Sequence, residues 1–273
     1  MNVMNSTLLG LLAIAVYLAA VVALWRSLRA DYNTRRVCRG CLVPGWIAAI
    51  LHGLVLSGTF GATAGFDFSF LSALSAVAWI IVAIVLMAAW FKPVDKLGLV
   101  VFPLTAFILL LKLSMPESAH PVRTHAWPMV VHILSSMLSY GFLNIAAIQA
   151  ILLALQDHGL RSHHTRWVVI RSLPPLQTME NLLFQLIAAG FVLLTLSLGT
   201  GFLFLENLFA QHLVHKTVLS LLAWLVFAML LAGRMRYGWR GQVAIRWTLS
   251  GFIALMLAYF GTKMVLEWIL KRT

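Results

Sequence analysis

The sequence predicts an all-α protein: a polytopic membrane helix bundle with eight transmembrane helices, formed by a single integral membrane domain over residues 1–273. Three observations predict this fold class. Hydrophobic residues make up 62% of the chain and charged residues 10%, the mean hydropathy is +0.94, and apolar runs of about 20 residues recur along the chain. A soluble globule could not cover so much apolar surface, whereas runs of this length suit helices that cross a bilayer.

The apolar runs are interpreted in chain order as membrane spans. The first begins near Met4 without a basic segment before it and reaches full spanning length, so it is predicted to be a membrane helix and not a cleavable signal peptide. The fifth is uncharged over 29 residues; at about 1.5 Å per residue it exceeds a hydrocarbon core of about 30 Å, which predicts a tilted or protruding helix. The predicted spans are residues 4–25, 43–61, 69–91, 97–113, 127–155, 181–203, 217–233 and 242–269.

The basic residues predict the orientation of the bundle. The formal net charge is +12, and 13 of the 20 lysines and arginines lie in the connections after spans one, three, five and seven. Alternate connections rich in arginine are typical of the cytoplasmic side, so both termini are predicted to lie outside. The charge therefore indicates orientation and not nucleic-acid binding, since no base-stacking module accompanies it. The 13 residues are Arg26, Arg29, Arg35, Arg36, Arg39, Lys92, Lys96, Arg161, Arg166, Arg171, Arg234, Arg236 and Arg240.

A polar stripe runs along the fifth span. At about 100° per residue, one side of the helix gathers a histidine, three serines and a tyrosine, with an asparagine at its margin. Lipid would not solvate these groups, so the stripe is predicted to face other helices, a water-filled cavity or a ligand. Its members are His132, Ser135, Ser136, Ser139, Tyr140 and Asn144.

The two cysteines, Cys38 and Cys41, form a C-x-x-C motif in the first arginine-rich connection. Leu42 follows where covalent haem attachment would require a histidine. The flanking arginines place the motif inside, where thiols stay reduced, and two thiolates fall short of the four ligands of a structural zinc site. We expect inert, reduced thiols.

Three of the nine histidines lie inside a predicted span or at its lip: His52 in the middle of span two, His132 near the outer end of span five, and His215 at the outer lip of span seven. A histidine inside a span can be a packed, hydrogen-bonded core residue. Neutral imidazoles that converge from different helices in an apolar bundle are also what axial haem ligation needs. Both interpretations stay open on this pattern.

Four stretches carry a resemblance to a known family: LHGLVLSG around His52, HILSSMLSY from His132, HKTVLSLLAWLVFAMLLAGRMRYGWRG from His215, and GFIALMLAYFGTKMVLE in the last span. They resemble the cytochrome c assembly protein family, the CcsA-type membrane proteins of system II cytochrome c maturation, in its short HemX-like and YpjD-like branch. The matching positions in the last two stretches are Lys216, Trp224, Gly238, Trp239, Arg240, Gly241, Gly251, Phe252, Tyr259 and Gly261.

The resemblance implies a role for each of the three histidines. His52 stands in the segment that carries a transmembrane haem ligand, and His132 in the segment that carries an outer one. His215 is predicted to act as a replacement ligand beside His132. The chain departs from the family's synthases in lacking their tryptophan-rich WWD outer loop, and Ala232 and a residue near Leu270 stand where the synthases have second histidines.

We therefore expect a bacterial inner-membrane protein that binds b-type haem non-covalently, with His52, His132 and His215 as iron ligands, and that assists cytochrome c assembly or haem handling. No activated nucleophile or acid/base pair is visible, which favours binding and delivery over catalysis. The expected partners are the lipid bilayer, haem, and other cytochrome c maturation or haem-biosynthesis proteins.

Two alternative functions remain. In the first alternative, the protein is a HemX-like membrane regulator or scaffold that binds a haem-biosynthesis enzyme through its basic connections. A small-solute transporter is disfavoured because inverted repeats and charged residues at mid-span are lacking.

The orientation is testable with fusions. An enzyme that is active only in the periplasm should give signal when fused after Thr273 and none when fused near Arg166, because the arginine-rich connections are predicted to be cytoplasmic. The reverse pattern of signals would invert the topology.

Overall fold

The structure is a computed structural model, and the residues it describes are 3–30, 39–62, 66–67, 69–115, 121–122, 127–161, 173–204 and 214–258. Within these ranges the helices are α1 Val3–Ala30, α2 Val43–Ala62, α3 Phe70–Phe91, α4 Gly98–Ser114, α5 Trp127–Arg161, α6 Leu176–Phe204, α7 Val214–Tyr237 and α8 Gln242–Met256. Short 3-10 helices at Gly40–Leu42 and Asp95–Leu97 precede α2 and α4.

The predicted fold class is confirmed: the chain is an all-α polytopic membrane bundle. In the part of the chain that the structure describes, seven helices are long and apolar enough to cross a membrane. The eighth, Gln242–Met256, is apolar and shorter; its predicted span continues to residue 269, beyond the described ranges. The orientation of the termini stays a prediction.

Polar residues extend four helices past the predicted spans. α1 continues from the predicted end at residue 25 to Ala30. α5 continues to Arg161, where the side chain of Asp157 accepts a bond from Arg161 Nε at 3.1 Å. α6 begins at Leu176, directly after two prolines, and Pro175 O accepts bonds from the amides of Thr178 and Met179. α7 runs on to Tyr237. Apolar runs measure the part of a helix that lies in lipid, whereas a helix ends where its hydrogen bonds end.

The chain divides into two compact units, Met1–Thr124 with Ser162–Pro174, and His125–Arg161 with Pro175–Thr273. In the first unit α1 packs on α2 and α4, and α3 packs on α4. Phe102 is fully buried there, and its ring fills space that two glycines leave open. A Cβ atom would lie 2.9 Å from that ring at Gly45 and 2.8 Å from it at Gly98.

A two-residue ladder in the first unit joins two connections. Strand β1, Phe66–Asp67, pairs antiparallel with strand β2, Pro121–Val122. Strands this short leave no period in the sequence, so the pairing was not predicted. The ladder places the connections after α2 and after α4 on one side of the membrane, which is the alternation that the predicted topology requires.

In the second unit α5 packs along α6, and α8 packs on α7 and α5. Small residues permit the closest approaches, as is common between membrane helices. Gly190 of α6 lies against the buried side chain of Leu143. Its carbonyl accepts a hydrogen bond from Ser139 Oγ at 2.8 Å. Gly251 of α8 lies against the ring of Phe227 in the same way.

Gly190→Val should lower the thermal unfolding midpoint of the purified protein. The first added carbon would lie 2.7 Å from Leu143 Cγ, and overpacking of this kind costs about 1–3 kcal/mol. Gly199→Val on the same helix is the control, because a Cβ there meets nothing within 4 Å. Equal midpoints for the two variants would contradict the close approach of α5 and α6.

Candidate functional site

His132 lies one and a half turns into α5, half-buried in the second unit. Its Nδ1 atom is 2.8 Å from the backbone carbonyl oxygen of Ser197 on α6. A carbonyl oxygen only accepts hydrogen bonds, so Nδ1 carries the proton and donates. In a neutral ring of this tautomer the lone pair is on Nε2, for which the described residues supply no hydrogen-bond donor.

Two groups of α6 hold the ring of His132. The Thr200 hydroxyl donates to the carbonyls of Leu196 and Ser197 at 2.9 and 3.0 Å, and its oxygen lies 3.5 Å from His132 Nδ1. The Ser197 carbonyl is thus contacted by donors from both α5 and α6. This arrangement fixes the tautomer and the orientation of the imidazole. Metal-ligating histidines usually have a hydrogen bond of this kind on the ring nitrogen that does not bind the metal.

The rest of the polar stripe divides into two kinds of contact. Ser139 and Tyr140 cross to neighbouring helices, where Tyr140 Oη donates to Leu255 O at 3.0 Å and contacts Met256 Sδ at 3.1 Å. The other members donate to carbonyls of α5 itself, at distances of 2.8 to 3.1 Å; they are Ser135, Ser136 and Asn144. The predicted stripe is therefore a packing seam, and His132 is the member that leaves a ring nitrogen available.

The carbonyl that Tyr140 reaches lies just before a wide, π-helical turn at residues 257–258. The hydrogen bond from Tyr140 of α5 to Leu255 O ties α8 to α5 at this level.

His52 is fully buried in the first unit, and both of its ring nitrogens are engaged. Nδ1 is 3.3 Å from Tyr17 Oη on α1, and Nε2 is 2.9 Å from Ser75 Oγ on α3. The rings of Tyr17 and His52 meet edge to face at 6.0 Å. Phe102 of α4 packs on the Tyr17 ring, with 6.0 Å between the ring centroids. All four helices of the unit thus contribute to this cluster, and a metal bound at either nitrogen would have to displace a hydroxyl.

His215 is the second residue of α7. Its side chain lies outside the described part of the structure, so its predicted approach to His132 stays a prediction. Among the described residues, no group of three or more histidine, cysteine and acidic side chains could hold a metal ion together.

Cys41 corrects one expectation. It is in a disulfide bond, whereas we predicted reduced thiols; Cys38, the other cysteine of the chain, lies outside the described residues. The prediction rested on the expected compartment and not on the C-x-x-C spacing, which brings two cysteines close enough along the chain for a disulfide bond.

The residues that partner the histidines were not predicted: Tyr17, Ser75, Ser197 and Thr200. The available signal was a small polar or tyrosine side chain inside an apolar run, which indicates a buried hydrogen bond. That signal does not say which partner is reached, because pairing between helices depends on their axial register.

Comparisons with known proteins place this geometry in context. The model of the family described as "Cytochrome C assembly protein" matches residues 42–270. The chain is 32% identical to inner membrane protein YpjD of Escherichia coli K12 over 265 residues, 96% of this chain and 98% of that protein. It is 23% identical to Protein HemX of Brevibacillus brevis over 260 residues, 92% and 93% of the two chains. It is 27% identical to cytochrome c biogenesis protein CcsA of Guillardia theta over 188 residues, 60% and 62%. No solved structure matches the chain.

Tyr17→Phe should destabilise the first unit, because it removes the hydroxyl that bonds the buried His52. Leaving a buried polar atom without its partner costs about 1–3 kcal/mol, so the thermal unfolding midpoint should fall. Tyr237→Phe is the matched control, since Tyr237 is 75% exposed. If both variants unfold at the wild-type temperature, the Tyr17–His52 bond does not contribute to stability.

Proposed function

Because the chain belongs to the cytochrome c assembly protein family, whose model covers residues 42–270, we propose that it binds haem non-covalently within the membrane and holds it for cytochrome c assembly. The chain is a multi-pass inner-membrane protein of cytochrome c biogenesis. The observation that best supports haem binding by the histidines is the hydrogen bond from His132 Nδ1 to Ser197 O.

His132 is the proposed principal ligand. The Ser197 carbonyl holds a proton on Nδ1, so Nε2 is the ring nitrogen that would bind an iron ion. Imidazole nitrogen is a suitable ligand for iron, and a carbonyl bond on the other nitrogen increases the basicity of the ligating one. An imidazole nitrogen of this kind fits a b-type haem, which would supply an iron centre in a flat apolar ring that the membrane helices can bury.

His215 is the proposed second ligand of the same site. It stands in the first turn of α7, which packs in the same unit as α5 and α6. Two neutral imidazoles on one iron would give a low-spin centre. The loss of either imidazole would then change the spectrum before it empties the site.

His52 is proposed as a ligand of a deeper site. As described, its two nitrogens bond Tyr17 and Ser75, so ligation would require one hydroxyl to turn away. A lost hydrogen bond of this kind costs about 1–3 kcal/mol, which a bond to iron could offset. His52 is therefore the costlier of the two described ligands, and its contribution to haem content should be smaller than that of His132.

Regulation of a haem-biosynthesis enzyme is the second candidate function. The chain is similar to Protein HemX over 92% of its length, and exposed arginines at the ends of α5 and α7, such as Arg161 and Arg236, would suit an acidic soluble partner. Purification separates the two functions: a Soret band supports haem binding, and a co-purifying soluble enzyme without that band supports regulation.

The ligands can be tested by replacing His52, His132 and His215 singly with alanine. The His132 and His215 variants should show altered oxidised and reduced absorption spectra while they retain part of their haem, because the apolar pocket still holds the porphyrin. Haem content by the pyridine haemochrome assay and spectra at matched protein concentration are the measurements.

His158→Ala is the control, since His158 is exposed at the end of α5. If the His132 and His215 variants both match this control while the wild type carries haem, the ligands lie elsewhere. If the wild type itself carries none after expression with added haem precursor, haem binding is excluded and regulation remains.

A further inference from the structure

The connection between α7 and α8 is the Gly-Trp-Arg-Gly segment Gly238–Gly241, here called the GWRG turn, and the proposed haem site does not use it. Gly238 and Gly241 have φ values of +64° and +58°. Residues with a Cβ rarely adopt this region, so glycines at these two positions permit α7 and α8 to reverse within four residues.

The tryptophan of the turn is packed inward. A Cβ at Gly233 would overlap the ring of Trp239, so the indole lies directly on the α7 backbone. The same indole contacts the rings of Tyr237 at 6.3 Å and Trp247 at 5.4 Å. Three aromatic side chains therefore form one cluster at this end of the second unit.

Two side chains fasten the backbone of the turn. Glu180, in the first turns of α6, accepts a hydrogen bond from the Gly241 amide at 2.7 Å. Arg234 donates to Trp239 O at 3.2 Å, and its guanidinium lies 4.7 Å above the ring of Phe184. The turn is held from α6 and α7 at once, so its outward residues are displayed in a fixed geometry.

The outward residues are basic. Arg236, Arg240 and Arg246 are exposed, and none of them forms an ion pair within the described part of the chain. The two carboxylates near them are already engaged: Glu180 with the Gly241 amide, and Asp157 with Arg161 and Gln242. The arginines thus form an uncompensated positive surface.

The position of the turn relative to the bilayer indicates which molecules contact this positive surface. The apolar run of α7 ends near residue 233, and the helix continues for about one further turn to Tyr237, so the GWRG turn lies just beyond the hydrocarbon core. Tyr237 is 75% exposed and Met235 87% exposed. Tryptophan and tyrosine beside arginine are typical of the level where lipid headgroups lie. A phosphodiester at that level could bond guanidinium groups while its glycerol and upper acyl chain contact the aromatic cluster.

We propose that the GWRG turn binds the headgroup of an anionic phospholipid, with Arg236 and Arg240 on the phosphate, Arg246 at the rim, and Tyr237 and Trp239 against the glycerol–acyl boundary. The site goes beyond the proposed haem function and does not depend on it. A free phosphate ion would use the guanidinium groups but not the exposed apolar surface beside them, so the site is assigned to lipid.

Native mass spectrometry of delipidated protein, titrated with dioleoylphosphatidylglycerol, tests the proposal. The wild-type protein should bind one molecule of dioleoylphosphatidylglycerol, and it should bind this lipid more tightly than dioleoylphosphatidylcholine. Arg236→Gln combined with Arg240→Gln should weaken that binding about 25-fold, since each arginine near an anionic headgroup contributes about fivefold. The double variant should keep the wild-type unfolding midpoint, because both side chains are exposed.

Arg29→Gln combined with Arg39→Gln is the matched control. These arginines also lie beside tryptophans, 5.3 Å from the Trp25 ring and 5.5 Å from the Trp90 ring, and their loss removes the same charge. Equal weakening by the two double variants would show general charge attraction and overturn the site. Equal binding of phosphatidylcholine, or displacement of the lipid by millimolar inorganic phosphate, would overturn the assignment to anionic lipid.

Discussion

Absence of water from the bilayer interior is the constraint on which the rest of the structure depends, because a polar side chain in a span must find its partner within the protein. Ser139 meets this requirement by crossing to Gly190, and Tyr140 by crossing to Leu255. The same crossings bring α5 against α6 and α8. In the second unit, the same contacts therefore supply hydrogen bonds to the polar side chains and pack the helices together. Small residues at these contacts allow the helices to approach closely.

His52 and His132 meet the constraint differently. His52 has a hydroxyl on each nitrogen and is fully buried. His132 has a carbonyl on Nδ1 and is half-buried, and no described residue donates a hydrogen bond to its other nitrogen. An imidazole with hydrogen bonds on both nitrogens chiefly holds helices together, whereas an imidazole with a fixed tautomer and an unused lone pair can bind a metal. This contrast ranks His132 above His52 as a functional residue.

The sequence was sufficient for the helices and insufficient for their partners. Apolar runs located α1 to α7 to within a few residues, since spanning length is a property of the chain alone. Helical spacing placed His132 and Tyr140 on one side of α5, but it gave the same weight to Ser135, which bonds its own helix. Contacts such as His52 with Tyr17 depend on axial register between helices, which periodicity does not encode. The β1–β2 ladder was too short to leave a pattern.

Glycine serves two unrelated purposes around the GWRG turn. At Gly238 the space around a Cβ is open and only the positive φ opposes a side chain, so asparagine, which tolerates that conformation, could replace it at modest cost. At Gly233 the helical backbone is ordinary, but the indole of Trp239 occupies the position of any Cβ, so even alanine is excluded unless the ring moves. Natural variation should therefore be wider at Gly238 than at Gly233. In divergent homologues, a small residue at the position of Gly233 should identify this turn more reliably than a glycine at the position of Gly238.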